Sequence, residues 1–333
     1  MNTILTNSFF KKNLTRLLKV LIFSGLVLAI YQQIARQKDF EAIAWTFLSS
    51  FRFQNVCWLL GVCSFTFVNW GIEAQKWRQL LSKMERLSFK DAFRAILCGI
   101  TLSLFTPNRV GEYGGRVLIL QHANRLQAIA VTLVGSLSQI IANVTLGAIG
   151  FLSFAAFYLQ WQSWQIGIAV GASILLITAL FLVYFQVQKS EQWLAKIPFF
   201  RRYKTYFAPI AAYNTPELRQ VLGWSFLRNM VFTLQYIGLC WTYNMEVDVW
   251  TAWTVVNTIF FVQLFIPSIA LIELGIRGNV ALFFWGYVTA NHLAIIAATF
   301  SLWWVNLVMP ALVGWWLISR LNILEGWNGK LEE

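Results

Sequence analysis

Charged residues are scarce, at 12% of a 333-residue chain, against roughly a quarter in ordinary soluble domains. Histidine occurs twice, as His122 and His292, with no cysteine or acidic cluster beside either, so a metal site is not expected. Cys57, Cys63, Cys98 and Cys240 are scattered through apolar runs without metal-ligand or disulfide-framework spacing. They read as buried small hydrophobes. No Walker motif or nucleotide fingerprint is present, so neither direct ATP coupling nor a bound cofactor is expected. What the chain has in quantity is apolar surface, 58% of its residues, arranged in long runs instead of amphipathic stripes. The expectation is an all-α polytopic membrane protein, one integral membrane domain over 1–333, with membrane lipids as its partners.

At about 20 apolar residues per crossing, spans are expected near Leu17–Ala35, Asn55–Ile72, Leu126–Leu159, Ile166–Val187, Val221–Tyr243 and Asn291–Ser319. The first has basic residues before its apolar core but no small-residue cleavage pattern after it, and is read as an uncleaved helix. Orientation follows from Lys and Arg, which are retained on the cytoplasmic side. They concentrate in Glu73–Arg94 (Lys76, Arg78, Lys83, Arg86, Lys90, Arg94) and in Gln188–Arg219 (Lys189, Lys196, Arg201, Arg202, Lys204, Arg219). Gln160–Gln165, Asn244–Trp250 and Ala290–Thr299 carry none, and Trp161, Trp164 and Trp250 stand at these neutral turns as interface anchors. Both termini are therefore expected on the cytoplasmic side of a bacterial inner membrane, with Asp39–Arg52 on the outer surface. A net charge of +12 distributed this way argues against nucleic acid as a partner.

Two apolar stretches, Ala92–Thr106 and Thr251–Ile266, are short and each stops at a proline. The first starts with the capping pattern Ser88-Phe89-Lys90-Asp91 and leads through Pro107 into Asn108-Arg109-Val110-Gly111-Glu112-Tyr113-Gly114-Gly115-Arg116. The second leads through Pro267 into a stretch containing Glu273, Gly275 and Arg277, then resumes apolar character from Val280. Each reads as half-helix, proline, glycine-containing turn with Glu and Arg, helix. Irregular backbone at membrane depth is tolerated only within protein or a hydrated cavity. The order span, span, re-entrant segment, span then repeats upside down, giving an inverted repeat with halves 17–160 and 166–320. That is about six full spans plus two re-entrant segments; about eight full spans is the alternative.

Pro107, Gly111, Glu112 and Arg116 in one half, with Pro267, Gly275 and Arg277 in the other, resemble the paired signatures of the flippase-like membrane region of lysylphosphatidylglycerol synthases. The resemblance runs from about Phe10 to Leu321. It implies an inverted-repeat bundle with two re-entrant segments and movement of lipids or lipid-linked molecules between leaflets. Two departures concern charge balance. Arg116 lies four residues after Glu112 where members often have three, and Gly278 follows Arg277 where a glutamate is common. The synthases' soluble aminoacyl-transfer domain has no counterpart in this sequence, so lipid aminoacylation is not implied.

Ionisable residues at bilayer depth cost about 2.5–3.5 kcal/mol on insertion scales and usually face a cavity or a partner. Arg109, Glu112, Arg116, Glu273 and Arg277 are thus candidates to bind an anionic headgroup, the arginines holding phosphate oxygens. The alternative is structural ion pairing of Arg109 or Arg116 with Glu112 and of Arg277 with Glu273. Pro107, Gly111, Pro267 and Gly275 are the expected turn formers. Arg228, beside Asn229, either snorkels to the cytoplasmic edge or extends the phosphate path. Thr132, Ser136, Gln139 and Asn143 recur at spacing 0, 4, 7 and 11 and share one helix face. They either bond neighbouring helices or line a polar path; Asn257 and Gln263 invite the same two readings. The function expected is translocation of a lipid or lipid-linked anionic substrate. The alternatives are an enzyme using Glu112 and Glu273 as acid and base, or a non-transporting partner of an envelope-biosynthesis complex.

Overall fold

The computed structural model describes residues 53–190, 201–266 and 273–320, with isolated positions between 17 and 48 and at 192–193. Pro267, most of the expected first span and Asp39–Arg52, and both chain ends lie outside the described residues. The described chain is helical: α1 (Phe53–Leu81), α2 (Phe89–Ser103), α3 (Gly111–Arg116), α4 (Arg125–Phe157), α5 (Ser163–Phe185), α6 (Thr215–Thr242), α7 (Val249–Leu264), α8 (Glu273–Trp285), α9 (His292–Trp303) and α10 (Met309–Arg320). Among the described residues, α1, α4, α5 and the continuous α9–α10 rod are long and apolar enough to cross a membrane. α6, at 28 residues, reaches about 42 Å but carries Arg228, Asn229 and Gln235 in its length.

Polar residues cap the starts. The side chains of Ser88, Asn124, Asn214 and Asp248 accept backbone N–H groups in the first turns of α2, α4, α6 and α7, replacing partners that a helix start otherwise lacks. Hydrogen bonds from Thr251 hold the exposed Asp248 carboxyl below its ordinary value.

Segment α2–α3 is a hairpin. α2 has 15 residues, about 22 Å, shorter than the roughly 30 Å of a hydrocarbon core. The chain bends at Asn108 and Arg109, which both take left-handed backbone conformations (φ 51° and 59°), then returns along α2. Its exit is fastened beside its entrance. Glu85, three residues before the cap Ser88, accepts N–H bonds from Gln121, His122 and Ala123 at 3.3, 3.0 and 2.8 Å. Glu85→Ala is expected to cost about 2 kcal/mol, since charge-assisted bonds of this kind are lost, measurable as a lower thermal unfolding midpoint in detergent.

Two expected turn formers are helical instead. Gly111 opens α3 and Gly275 lies within α8, so the bend precedes the glycine run. The reason for Gly111 and Gly115 is close approach. A Cβ on Gly115 would lie 2.5 Å from the Cys98 carbonyl oxygen, and one on Gly111 2.2 Å from that of Leu102. Gly115→Val is therefore expected to cost about 1–3 kcal/mol through overpacking. Gly114→Ala, with open space around it, is expected to leave stability unchanged or raise it by about 0.5 kcal/mol; equal melting shifts for the two would contradict this packing.

Long-range packing pairs α1 with α6, α2 with α10 and α7 with α4. Glycines make the last two contacts tight: Gly314 of α10 sits against Leu97 and Thr101 of α2, and Gly147 and Gly150 of α4 against Phe261 and Asn257 of α7. Leu274 at the start of α8 joins the buried cluster that holds Ile96 and Ile100 of α2 and Leu104 just after it with Trp303 and Leu307. By contrast α5 presents Ile168, Leu175 and Leu182 outward, as a lipid-facing helix does. Cys98 and Cys240 are buried, whereas Cys57 is exposed, contrary to the expectation for it.

The structure also corrects the first helix boundary. α1 continues past Ile72 to Leu81, so Glu73 and Lys76 are not in a cytoplasmic loop: they are 4% and 1% exposed. Their burial is tolerable because each charge meets an opposite one.

Candidate functional site

Glu73 is the hub of a charged centre inside the bundle. Its Oε2 lies 2.8 Å from Lys76 Nζ, one helical turn on, and 3.4 Å from Arg228 Nη1 of α6. Its Oε1 lies 2.9 Å from Arg116 Nη2 of α3. The same Arg116 nitrogen pairs with Glu112. One carboxylate thus ties the hairpin to α1 and α6.

The three cations are not equivalent. Lys76 Nζ also donates to the Gly135 carbonyl of α4 and to Ser225 Oγ of α6, both at 3.3 Å, so each of its protons has an acceptor. It is a staple between three helices. Arg228 donates from Nε to Asn69 Oδ1 at 3.0 Å and from Nη1 to Gln139 Oε1 at 3.4 Å, and lies over the Trp70 ring at 4.8 Å. It points into the bundle, which rules out the snorkelling alternative. Arg116 keeps an Nε N–H that is buried without an acceptor. Arg109, at the hairpin tip, is partly exposed and makes no side-chain hydrogen bond among the described residues, yet its charge acts on Glu112.

The α4 stripe is bonded to the hairpin, to α1 and to α6. Tyr113 of the hairpin donates to Ser136 at 2.9 Å, Trp77 to Thr132 at 3.0 Å, Gln139 to Asn143 at 3.0 Å, and Asn229 to Asn143 at 3.1 Å. These residues bond neighbouring helices, as the first reading has it, and in doing so flank the charged centre. Further along, Asn257 of α7 reaches Thr233 of α6 at 3.5 Å.

The end of the chain contributes through a local irregularity. Pro310 cannot donate within the α9–α10 rod, and the preceding Trp304–Val308 forms a π-turn. That turn leaves Asn306 buried, accepting from Asn69 Nδ2 at 3.0 Å. Asn69 in turn accepts from Arg228, so the last rod and the centre are connected. Such bulges recur at functional sites.

Of the residues expected from the sequence, the structure gathers Glu112, Arg116, Arg228, Ser136, Gln139 and Asn143 around one point, with Arg109 at its edge. Arg277 belongs elsewhere: it lies half-buried on α8, acting electrostatically on Tyr236 of α6. The Glu273 side chain lies outside the described residues, while Leu274 beside it is buried. Sequence reasoning missed Glu73, Lys76, Asn69 and Asn306. A signal existed for three of them, since Asn69, Glu73 and Lys76 have the 0, 4, 7 spacing that marks the α4 stripe. It was masked because a lysine and a glutamate after an apolar run read as a loop.

Comparison with known proteins places residues 16–272 under the family pattern described as the lysylphosphatidylglycerol synthase TM region. No curated protein and no solved structure matches the chain.

Proposed function

We propose, from the premise that this chain belongs to the lysylphosphatidylglycerol synthase TM region family, that it translocates a lipid or lipid-linked anionic substrate between leaflets. In this reading the α2–α3 hairpin re-enters the membrane from the cytoplasmic face, and the segment from α7 to α8 enters from the opposite one. The pairing of α2 with α10 and of α7 with α4 supports an inverted repeat. Both termini are cytoplasmic, and the membrane is a bacterial inner membrane.

The observation that carries the reading is the centre inside the bundle where the buried Glu73 and Arg116 meet the partly exposed Glu112 and Arg228. Charges this deep are expensive unless paired, and when retained they mark substrate paths. Arginine holds phosphate oxygens through two parallel N–H bonds, and Arg116 and Arg228 approach from different elements, as a headgroup clamp needs. The polar face of α4 extends the path while acyl chains stay in lipid. No chemical change of the substrate is involved in this reading.

The test is reconstitution. Purified protein in liposomes containing a headgroup-labelled anionic lipid is expected to expose inner-leaflet label to an external quencher faster than protein-free liposomes, with the lipid recovered unchanged. A modified lipid would favour a membrane enzyme, and no acceleration would favour a non-transporting role.

A further inference from the structure

We infer that the centre is matched to one singly charged phosphodiester group and selects against doubly charged phosphomonoesters. This deepens the translocator reading and rests on it. The cations joined in the centre are Lys76 and Arg116, both buried, and Arg228, 13% exposed, and the carboxylates joined to them are the buried Glu73 and the partly exposed Glu112. The balance is one uncompensated positive charge. Lys76 has all its protons engaged by Glu73, Gly135 and Ser225, so the excess is presented by the arginines. The Nε N–H of Arg116, buried and without an acceptor, is a donor already stripped of water that an incoming oxygen satisfies.

A neighbouring arginine does not overturn the count. Arg109, at the hairpin tip, forms no ion pair with Glu73 or Glu112 among the described residues, and its charge reaches the centre only from a distance. It attracts anions to the entrance without setting the charge the interior accommodates. A second negative charge placed beside Glu73 and Glu112 would meet two carboxylates with no cation left over, a costly arrangement at low dielectric.

The experiment uses the full-length protein in nanodiscs of phosphatidylcholine doped with either phosphatidylmethanol, a phosphodiester of one charge with no other headgroup function, or phosphatidate, at a pH of about 7, about one unit above the second phosphomonoester ionisation, where a phosphomonoester carries nearly two charges. Native mass spectrometry reads lipid retained after delipidation. Phosphatidylmethanol is expected to be retained at least about fivefold over phosphatidate. Glu112→Gln, which raises the uncompensated charge by one, is expected to reverse that order. Arg109→Gln, at the exposed tip, is expected to lower retention of both lipids without changing their ratio, and tests the count if Glu112→Gln does not fold. Equal retention, or a phosphatidate preference in the wild type, overturns the charge match while leaving the translocator reading standing. No retention of either anionic lipid over phosphatidylcholine overturns both.

Discussion

Replacing Glu73 with leucine is expected to lower the unfolding free energy by about 3–5 kcal/mol, the usual cost of removing one partner from a buried ionic network. Three cations face this carboxylate, and two of them, Lys76 and Arg116, are buried with it. Glu73→Gln keeps the shape and part of the hydrogen bonding but not the charge, so its loss should be intermediate. Lys76→Met should cost less than Glu73→Leu, because Glu73 keeps Arg116 and Arg228. In a double-mutant cycle of Glu73→Leu with Lys76→Met, the combined loss should fall short of the sum. Thermal unfolding in detergent followed by tryptophan fluorescence reads the wild type and the four variants. A Glu73→Leu protein as stable as the wild type would show that the centre is not held together as described.

The second large effect concerns transport. Glu112→Gln is expected to slow translocation at least about tenfold, equivalent to about 1.4 kcal/mol on the barrier, while the protein stays folded. Folding survives because Arg116 retains Glu73 at 2.9 Å after its second carboxylate partner is neutralised. Arg277→Ala, in the other half, is expected to have the same consequence for transport if both charged segments serve the path. The liposome assay with headgroup-labelled lipid measures both, with melting curves run in parallel. Wild-type rates in the two variants would remove the charged segments from the mechanism and leave them as structural pins.

The position of Glu73 shows why residues outside the broken segments were hard to find. A positive-inside count treats every lysine after an apolar run as water-facing, but Lys76 is 1% exposed because Glu73 lies one turn away and Gly135 and Ser225 supply the remaining acceptors. Two of those partners are 59 and 149 residues distant. The hairpin was easier: Ser88 caps α2 as its pattern implies, and the proline and glycines announce a break. Its shape was not legible, because the bend falls at Asn108 and Arg109, and Gly111–Arg116 is helix.

By itself, the amino-acid order determined that this chain is a membrane helical bundle, where most helices lie, that two segments are broken, and which arginine and glutamate accompany the first break. These are local properties: apolar run length, capping residues and prolines act within a few turns of chain. Tertiary structure alone decided that Glu73 is the anchor, that Arg228 turns inward to it, and that Arg116 serves two carboxylates. A buried charge is stable only where opposite charges arrive from other helices, and that meeting depends on how the helices pack.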